Sequence, residues 1–288
     1  MLTEIPGVKV GHWTDAEART GCTVVLLPEG TVASGEVRGG APATREFALL
    51  DPLRTVARVD AVVLSGGSAF GLAAGDGVAR WLEARGTGFP TSAGPIPIVV
   101  GMSLFDLLVG DGSVRPGPEE GRSAAEAASA GPVSLGAVGA GTGATVGKWR
   151  GRAHMTPSGL GGAVVRDGDV VVAALFAVNA FGDVGGAAEP VPDDEIVFPS
   201  VAEAFGNTTL GVLVTNARLS KTECLLVAQG GHDGMARALL PVHTRMDGDA
   251  VVAAATGSLD ADVSVDVVRH LAVLATERAI LCSGPVRT

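Results

Sequence analysis

Asn207-Thr208-Thr209-Leu210-Gly211-Val212-Leu213-Val214-Thr215-Asn216 is a polar triplet running straight into an apolar segment. Short Val-rich runs of this kind read as buried strands. Besides Leu210–Thr215, the chain holds six more: Cys22–Leu27, Ala61–Leu64, Ile96–Val100, Gly162–Val165, Val170–Val178 and Ala250–Ala255. Between two of them Arg166-Asp167-Gly168-Asp169 carries an Asp-Gly hairpin signal. Helical patterns cover Ser68–Ala84, Glu119–Ala130, Ser220–Leu240 and Ala261–Leu281, the last two long and directly after strands. Helices interleaved with strands, and hairpins mixed with crossovers, predict a layered α+β fold rather than an all-parallel sheet. Just upstream of the opening stretch, Gly182–Ser200 is rich in Gly, Pro and acid and reads as a mobile surface loop or linker.

Composition narrows the functions. With 47% apolar and 18% charged residues over 288 positions, the chain has ample material for a buried core. Its net charge of −10 argues against a nucleic-acid or anionic-membrane partner. The apolar residues are mostly Ala and Val, with no Tyr, and this small-residue core is expected to gain stability from subunit contacts. Cys22, Cys224 and Cys282 are odd in number and far apart, which suits reduced thiols better than a metal site or a disulfide. The opening Met1-Leu2-Thr3-Glu4-Ile5-Pro6-Gly7 lacks the pattern of a signal peptide, and no apolar run has bilayer-spanning length. A soluble cytoplasmic protein is expected.

Two Gly-rich motifs invite a nucleotide reading. Gly139-Ala140-Gly141-Thr142-Gly143-Ala144 formally matches the dinucleotide fingerprint, which works only if a helix N-terminus follows to hold the pyrophosphate. Thr145-Val146-Gly147-Lys148-Trp149-Arg150-Gly151 is poor helix material, so turning and close packing explain these glycines better. A phosphate-binding loop ending at Gly147-Lys148 fails at Thr142 and Trp149. Gly66-Gly67-Ser68-Ala69-Phe70 lacks the last glycine of a serine nucleophile elbow. Lys148 itself is a long cation closing a low-charge stretch; by spacing alone it is equally a solvated loop lysine.

The Asn207-Thr208 junction, on spacing alone, is an ordinary turn before a strand. It also matches the N-glycosylation sequon, whose machinery a cytoplasmic chain does not meet. Its chemistry is more specific. A hydroxyl is a weak nucleophile that needs a base. Were Thr208 a chain terminus, its own α-amine, with a pKa of about 7.7–8.0, would supply one. One residue would then be nucleophile and base together. No histidine would be required, which suits a chain whose His12, His154, His232, His243 and His270 show no pairing with a Ser or Cys and read as structural or exposed.

Several ordered blocks together resemble the DmpA-like aminopeptidase and nylon-oligomer hydrolase family. They are Pro6–Asp15, Gly21–Leu26, Val37–Pro42, Leu64–Leu72, Val138–Ala144, Ala177–Ala180, the Asn207-Thr208 junction and His243–Asp249. The resemblance implies an αββα sandwich of the DmpA/ornithine-acetyltransferase type. It also implies one catalytic domain over residues 1–288, cut by the chain itself into 1–207 and 208–288, and a homo-oligomer, a tetramer. It implies Thr208 as nucleophile with Lys148 and Asn179 beside it. An ammonium there would depress the terminal amine's pKa and keep it a base, while the Asn179 side-chain N–H would meet the oxyanion. A backbone N–H of Gly66 or Gly67 is the candidate second donor. Asp247 and Asp249 would anchor the terminal ammonium or Lys148, although Asp-Gly-Asp before a Val-Val strand is also a common hairpin turn. Aminopeptidase-like members place a tyrosine in the site, which this chain lacks, shifting the expectation toward small peptides and ω-amino-acid oligoamides. No metal, nucleotide or other cofactor is implied.

Three alternatives stay open: an acyltransferase using the same intermediate, a dinucleotide-binding oxidoreductase built on Gly139–Ala144, and an uncleaved, non-catalytic oligomer.

Overall fold

A computed structural model describes residues 1–185 and 206–284. Among the described residues fourteen strands are formed: β1 Lys9–Asp15, β2 Thr20–Leu26, β3 Val32–Val37, β4 Thr44–Arg45, β5 Ala61–Ser65, β6 Val99–Ser103, β7 Thr145–Val146, β8 Thr156–Pro157, β9 Leu160–Asp167, β10 Val170–Asn179, β11 Asp183–Val184, β12 Thr208–Thr215, β13 Leu239–Leu240 and β14 Ala250–Ala255. Ten of them build two five-stranded sheets. Sheet A runs β1-β2-β5-β6-β4 and sheet B runs β3-β14-β12-β10-β9. Each sheet has one parallel pair joined through a helix. In sheet A, β5 reaches β6 through α1 (Ala74–Glu83); in sheet B, β12 reaches β14 through α3 (Lys221–Ala238). Helices α2 (Pro118–Glu126) and α4 (Val265–Leu281) complete the outer layers.

Alternation along the strands explains the layering, because successive side chains point to opposite faces. On β10, Val171, Ala173, Leu175 and Ala177 enter the core between the sheets, as do Leu210, Val212 and Val214 of β12. There they meet Val25, Val62, Leu64, Val100 and Met102 of sheet A. The other faces of β10, β12 and β14 offer Phe176, Val178, Leu213 and Val251 to α3 and α4. On the far side, Val24, Val63 and Val99 pack under Val78 and Leu82 of α1 and Ala124 and Ala125 of α2. The order is helix, sheet, sheet, helix, the αββα sandwich expected. Each fully buried Val or Leu stabilises it by roughly 1.5–3 kcal/mol. Both β10 and β12 are buried along their whole length, so what stands at their ends is held firmly.

Several sequence expectations shift. The strand read at Ile96–Val100 lies at Val99–Ser103, because Pro95 and Pro97 flank Ile96 and it makes only one bridge, to Phe89. The helix read from Ser68 opens as a 3-10 turn over Ser68–Ala73 before α1 begins, and α2 stops at Glu126 rather than Ala130. Strands β1 and β3 escaped notice because glycine and polar residues interrupt them. Helix α3 starts at Ser220, whose hydroxyl accepts from the Glu223 N–H while Glu223 accepts from the Ser220 N–H, a reciprocal cap. Of the segment read as a loop at 182–200, residues 186–200 lie outside the described residues. No described helix is long and apolar enough to cross a membrane.

Candidate active site

The antiparallel register of β10 and β12 sets Asn179 directly opposite Thr208. Both continue the alternation that faces the inter-sheet core, so the last residue of one strand and the first of the other share its rim. Thr208 is 4% exposed. Its Oγ1–H donates to the carbonyl oxygen of Asn207, the residue before it. That oxygen also accepts the Gly248 N–H at 3.0 Å, and Asn207 forms a parallel bridge with Asp247. A Cβ on Gly248 would lie 2.6 Å from Thr208 Oγ1, so only glycine fits beside the hydroxyl.

Lys148 reaches the same rim from a 3-10 turn, Lys148–Arg150, which hangs just past the end of β10 because the Lys148 and Trp149 N–H groups both bond Phe181 O. The Lys148 ammonium donates to Asn179 O at 3.1 Å, Asn179 Oδ1 at 2.8 Å and Gly206 O at 2.9 Å. Burial pushes it down from 10.5 to about 7; Asp247 and Asp249 oppose that shift and Arg152 adds to it. Because Oδ1 of Asn179 takes the lysine and the Thr145 N–H, its Nδ2 points away, donating to Phe105 O at 2.9 Å and Gly206 O at 3.1 Å.

Asp247 and Asp249 form the opposite wall. Asp249 Oδ1 accepts the Thr209 N–H at 2.7 Å, and its Oδ2 accepts the His243 N–H at 3.2 Å and lies 2.8 Å from His243 Nδ1. Asp247 accepts from Phe181 N–H, Thr244 N–H and Thr244 Oγ1–H. Burial, reinforced by the neighbouring Asp249 charge, raises Asp247 from 3.8 to about 6. The Asp-Gly-Asp segment is also a turn, with Asp247 N–H bonded to Thr244 O. The block Arg38–Ala41 clasps it from outside, Arg38 and Gly39 donating to Asp249 O, Gly40 to Thr244 O and Ala41 to Asp247 O.

Thr208, Lys148, Asn179, Asp247 and Asp249, all singled out in the sequence, therefore meet at one place. Two finer expectations need correction. The N–H groups of Gly66 and Gly67 are already used, by Gly21 O at 2.8 Å and Asp106 Oδ1 at 2.7 Å, so they are no oxyanion donors. In the uncleaved chain Asn179 Nδ2 is held by Phe105 O and Gly206 O, and the Gly248 N–H is what meets the Asn207 carbonyl. The two carboxylates do not grip Lys148, whose three bonds go to Asn179 and Gly206; they act on it through space and instead fix the backbone around Thr208. Gly139–Gly141 forms one 3-10 turn followed by β7, so no helix N-terminus faces it and the dinucleotide reading loses its mechanism. Sequence reasoning missed Gly248, and it left His243 without a partner. The available signal was a glycine between two acids, read there as turn chemistry. A groove of about 850 Å³ between β9 and α4, lined by Val164, Arg166 and His270 among others, contains none of these groups.

The whole fold superposes on the L-aminopeptidase D-Ala-esterase/amidase of Ochrobactrum anthropi, described as a variant of the Ntn-hydrolase fold. The TM-score is 0.72 at 20% identity, covering 97% of this chain and 84% of that one. The fold is thus of the Ntn-hydrolase kind. The sequence is 42% identical over 300 residues to an uncharacterized aminopeptidase of Mycobacterium leprae, covering 92% of this chain and 81% of that protein. It is 33% identical over 279 residues to the 6-aminohexanoate-oligomer endohydrolase of an Agromyces species, covering 89% and 75%. With the family model for peptidase family S58 matching residues 1–283, the chain belongs to that family.

Proposed function

We propose that the chain cuts itself between Asn207 and Thr208 and then hydrolyses small peptides or linear oligoamides through an acyl-enzyme on Thr208. One observation carries this reading: the Asn207 carbonyl oxygen accepts both the Thr208 hydroxyl and the Gly248 N–H. A buried hydroxyl lies against the carbonyl it would attack, and a preset donor stands where negative charge would develop.

In the uncleaved chain Thr208 has no free amine, so another base must take its proton. Lys148, with its ammonium pushed down to about 7, supplies a neutral nitrogen near neutral pH. The proton passes from Oγ1 to Lys148, directly or through a water, as Oγ1 bonds the Asn207 carbon. Gly248 N–H holds the oxyanion. The Asn207–Thr208 C–N bond then breaks, Lys148 returns the proton to the departing nitrogen, and an ester remains. Water hydrolyses the ester to an Asn207 carboxylate and a free Thr208 hydroxyl. From then on the Thr208 α-amine activates its own hydroxyl, and each turnover repeats acylation and hydrolysis on an incoming amide.

In this reading residues 1–207 and 208–288 remain one catalytic domain, working without a cofactor as a cytoplasmic homo-oligomer. A core of small residues, short of large anchors, favours added subunit contacts. Intact-mass analysis of the purified protein tests the central step. Two fragments meeting at 207/208 are expected, and a single unbroken chain with amidase activity would remove the proposal.

A further inference from the structure

Gly206 and Asn207 occupy the acyl side of the bond that Thr208 faces, so they show how the site holds an acyl donor. Asn207 supplies the carbonyl under attack. Gly206 supplies the carbonyl one residue further back, and that oxygen accepts two hydrogen bonds, from Lys148 Nζ at 2.9 Å and Asn179 Nδ2 at 3.1 Å. Neither donor depends on it for position. Lys148 keeps Asn179 O and Oδ1, and Asn179 Nδ2 keeps Phe105 O. The Cα of Gly206 is restricted as well. Its φ is +131°, and an added Cβ would sit 3.2 Å from Phe105 Cδ1. The residue itself is partly exposed, so the space continues outward past it.

We infer that Lys148 Nζ and Asn179 Nδ2 form a subsite for a second carbonyl, carried on an unbranched carbon, so that the site prefers N-acylated, internal amide bonds to those next to a free amine. The inference rests on Thr208 being the nucleophile, because it uses the chain's own junction as the template. Cleavage frees one donor on each of these side chains when Gly206 departs. A donor with one acyl residue and a free amine brings no oxygen to them and sets its own N–H groups against theirs. A donor acylated at that nitrogen restores the two bonds. A side chain at the second position would meet the Phe105 ring in a backbone conformation that L residues rarely adopt. Acetyl, glycyl and ω-amino-acyl groups avoid both conflicts, since each presents a CH₂ or CH₃ there.

The test uses processed enzyme, shown by intact mass to be cut at 207/208. Its kcat/KM is compared on asparagine p-nitroanilide, its N-acetyl derivative and its N-ethyl derivative, the last matching the acetyl group in bulk without the carbonyl. The acetyl compound is expected to exceed both others by at least about tenfold, since it alone pairs the two buried donors. Acetyl-glycyl-asparagine p-nitroanilide should exceed its acetyl-L-valyl counterpart by a similar factor. Equal or better rates on the free amine would overturn the inference, as would equal rates on acetyl and ethyl compounds. Processed enzyme that releases nitroaniline from none of them would instead remove the hydrolytic half of the proposed function.

Discussion

Sheets A and B are built on one plan, a parallel pair bridged by a helix with antiparallel strands outside it, yet their rims differ in kind. At the rim of sheet A, Asp106 is buried without a cation. It accepts the Thr20 hydroxyl at 2.7 Å and the Gly67 N–H at 2.7 Å, and burial raises its pKa above the ordinary carboxylate value. Both of these partners are donors, so it is a structural knot. At the rim of sheet B the buried groups include a lysine whose pKa is lowered, two adjacent carboxylates and a hydroxyl pressed against a carbonyl. Burying polar groups is common to both rims. What separates them is a buried hydroxyl set against a carbonyl in the company of groups that burial moves toward neutrality.

The largest effect should come from Thr208→Ala, which removes the one oxygen that sheet A has no equivalent for. The chain should stay whole by intact mass and lose amidase activity by on the order of 10⁴-fold or more. Lys148→Met should slow self-cleavage by about 10²–10⁴-fold, the usual share of a positioned base. The sign of the pH dependence follows from its lowered pKa. Below about 7 the amine is protonated and cannot accept a proton, so the parent's processing rate should climb as pH rises through that value. A gel time course across pH 5.5–9 that showed the same rise in Lys148→Met would assign the inflection to another group.

Gly248→Ala keeps the N–H but sets a methyl 2.6 Å from Thr208 Oγ1. Displacing the proposed nucleophile in this way should cost on the order of 10² in processing rate, and parent-like kinetics would mean that the loop yields. On the other sheet, Asp106→Ala should act on stability instead. In an uncleaved Thr208→Ala background it strands two buried donors, and urea unfolding should report a loss of about 2–4 kcal/mol. If Asp106→Ala in the otherwise unchanged chain slowed processing more than Gly248→Ala does, the contrast between the rims would fail. Smallest of all, Arg166→Ala breaks an exposed pair with Glu4 and should change unfolding free energy by less than about 1 kcal/mol.

Much of the site could be read before the fold was known. Thr208, Lys148, Asn179, Asp247 and Asp249 were legible through the family resemblance; by spacing alone Lys148 is equally a loop lysine and Asp247-Gly248-Asp249 an ordinary turn. Gly248 acts through a backbone N–H that every residue but proline possesses, so nothing in its letter marks it. Gly66 and Gly67 failed for the mirror-image reason: their N–H groups exist, but Gly21 O and Asp106 had already taken them.

The sequence alone determined the central strands β10, β12 and β14, the helices that cover them and the residue types able to perform acyl transfer. Apolar period and side-chain chemistry are local properties, written within a few positions. Tertiary structure alone decided which donor meets the Asn207 carbonyl, which partners fill the hydrogen bonds of Lys148, and how far burial shifts its proton. Those depend on groups some 30 to 100 residues apart in the chain and on the exclusion of water between two packed sheets, and neither exists until the sandwich closes.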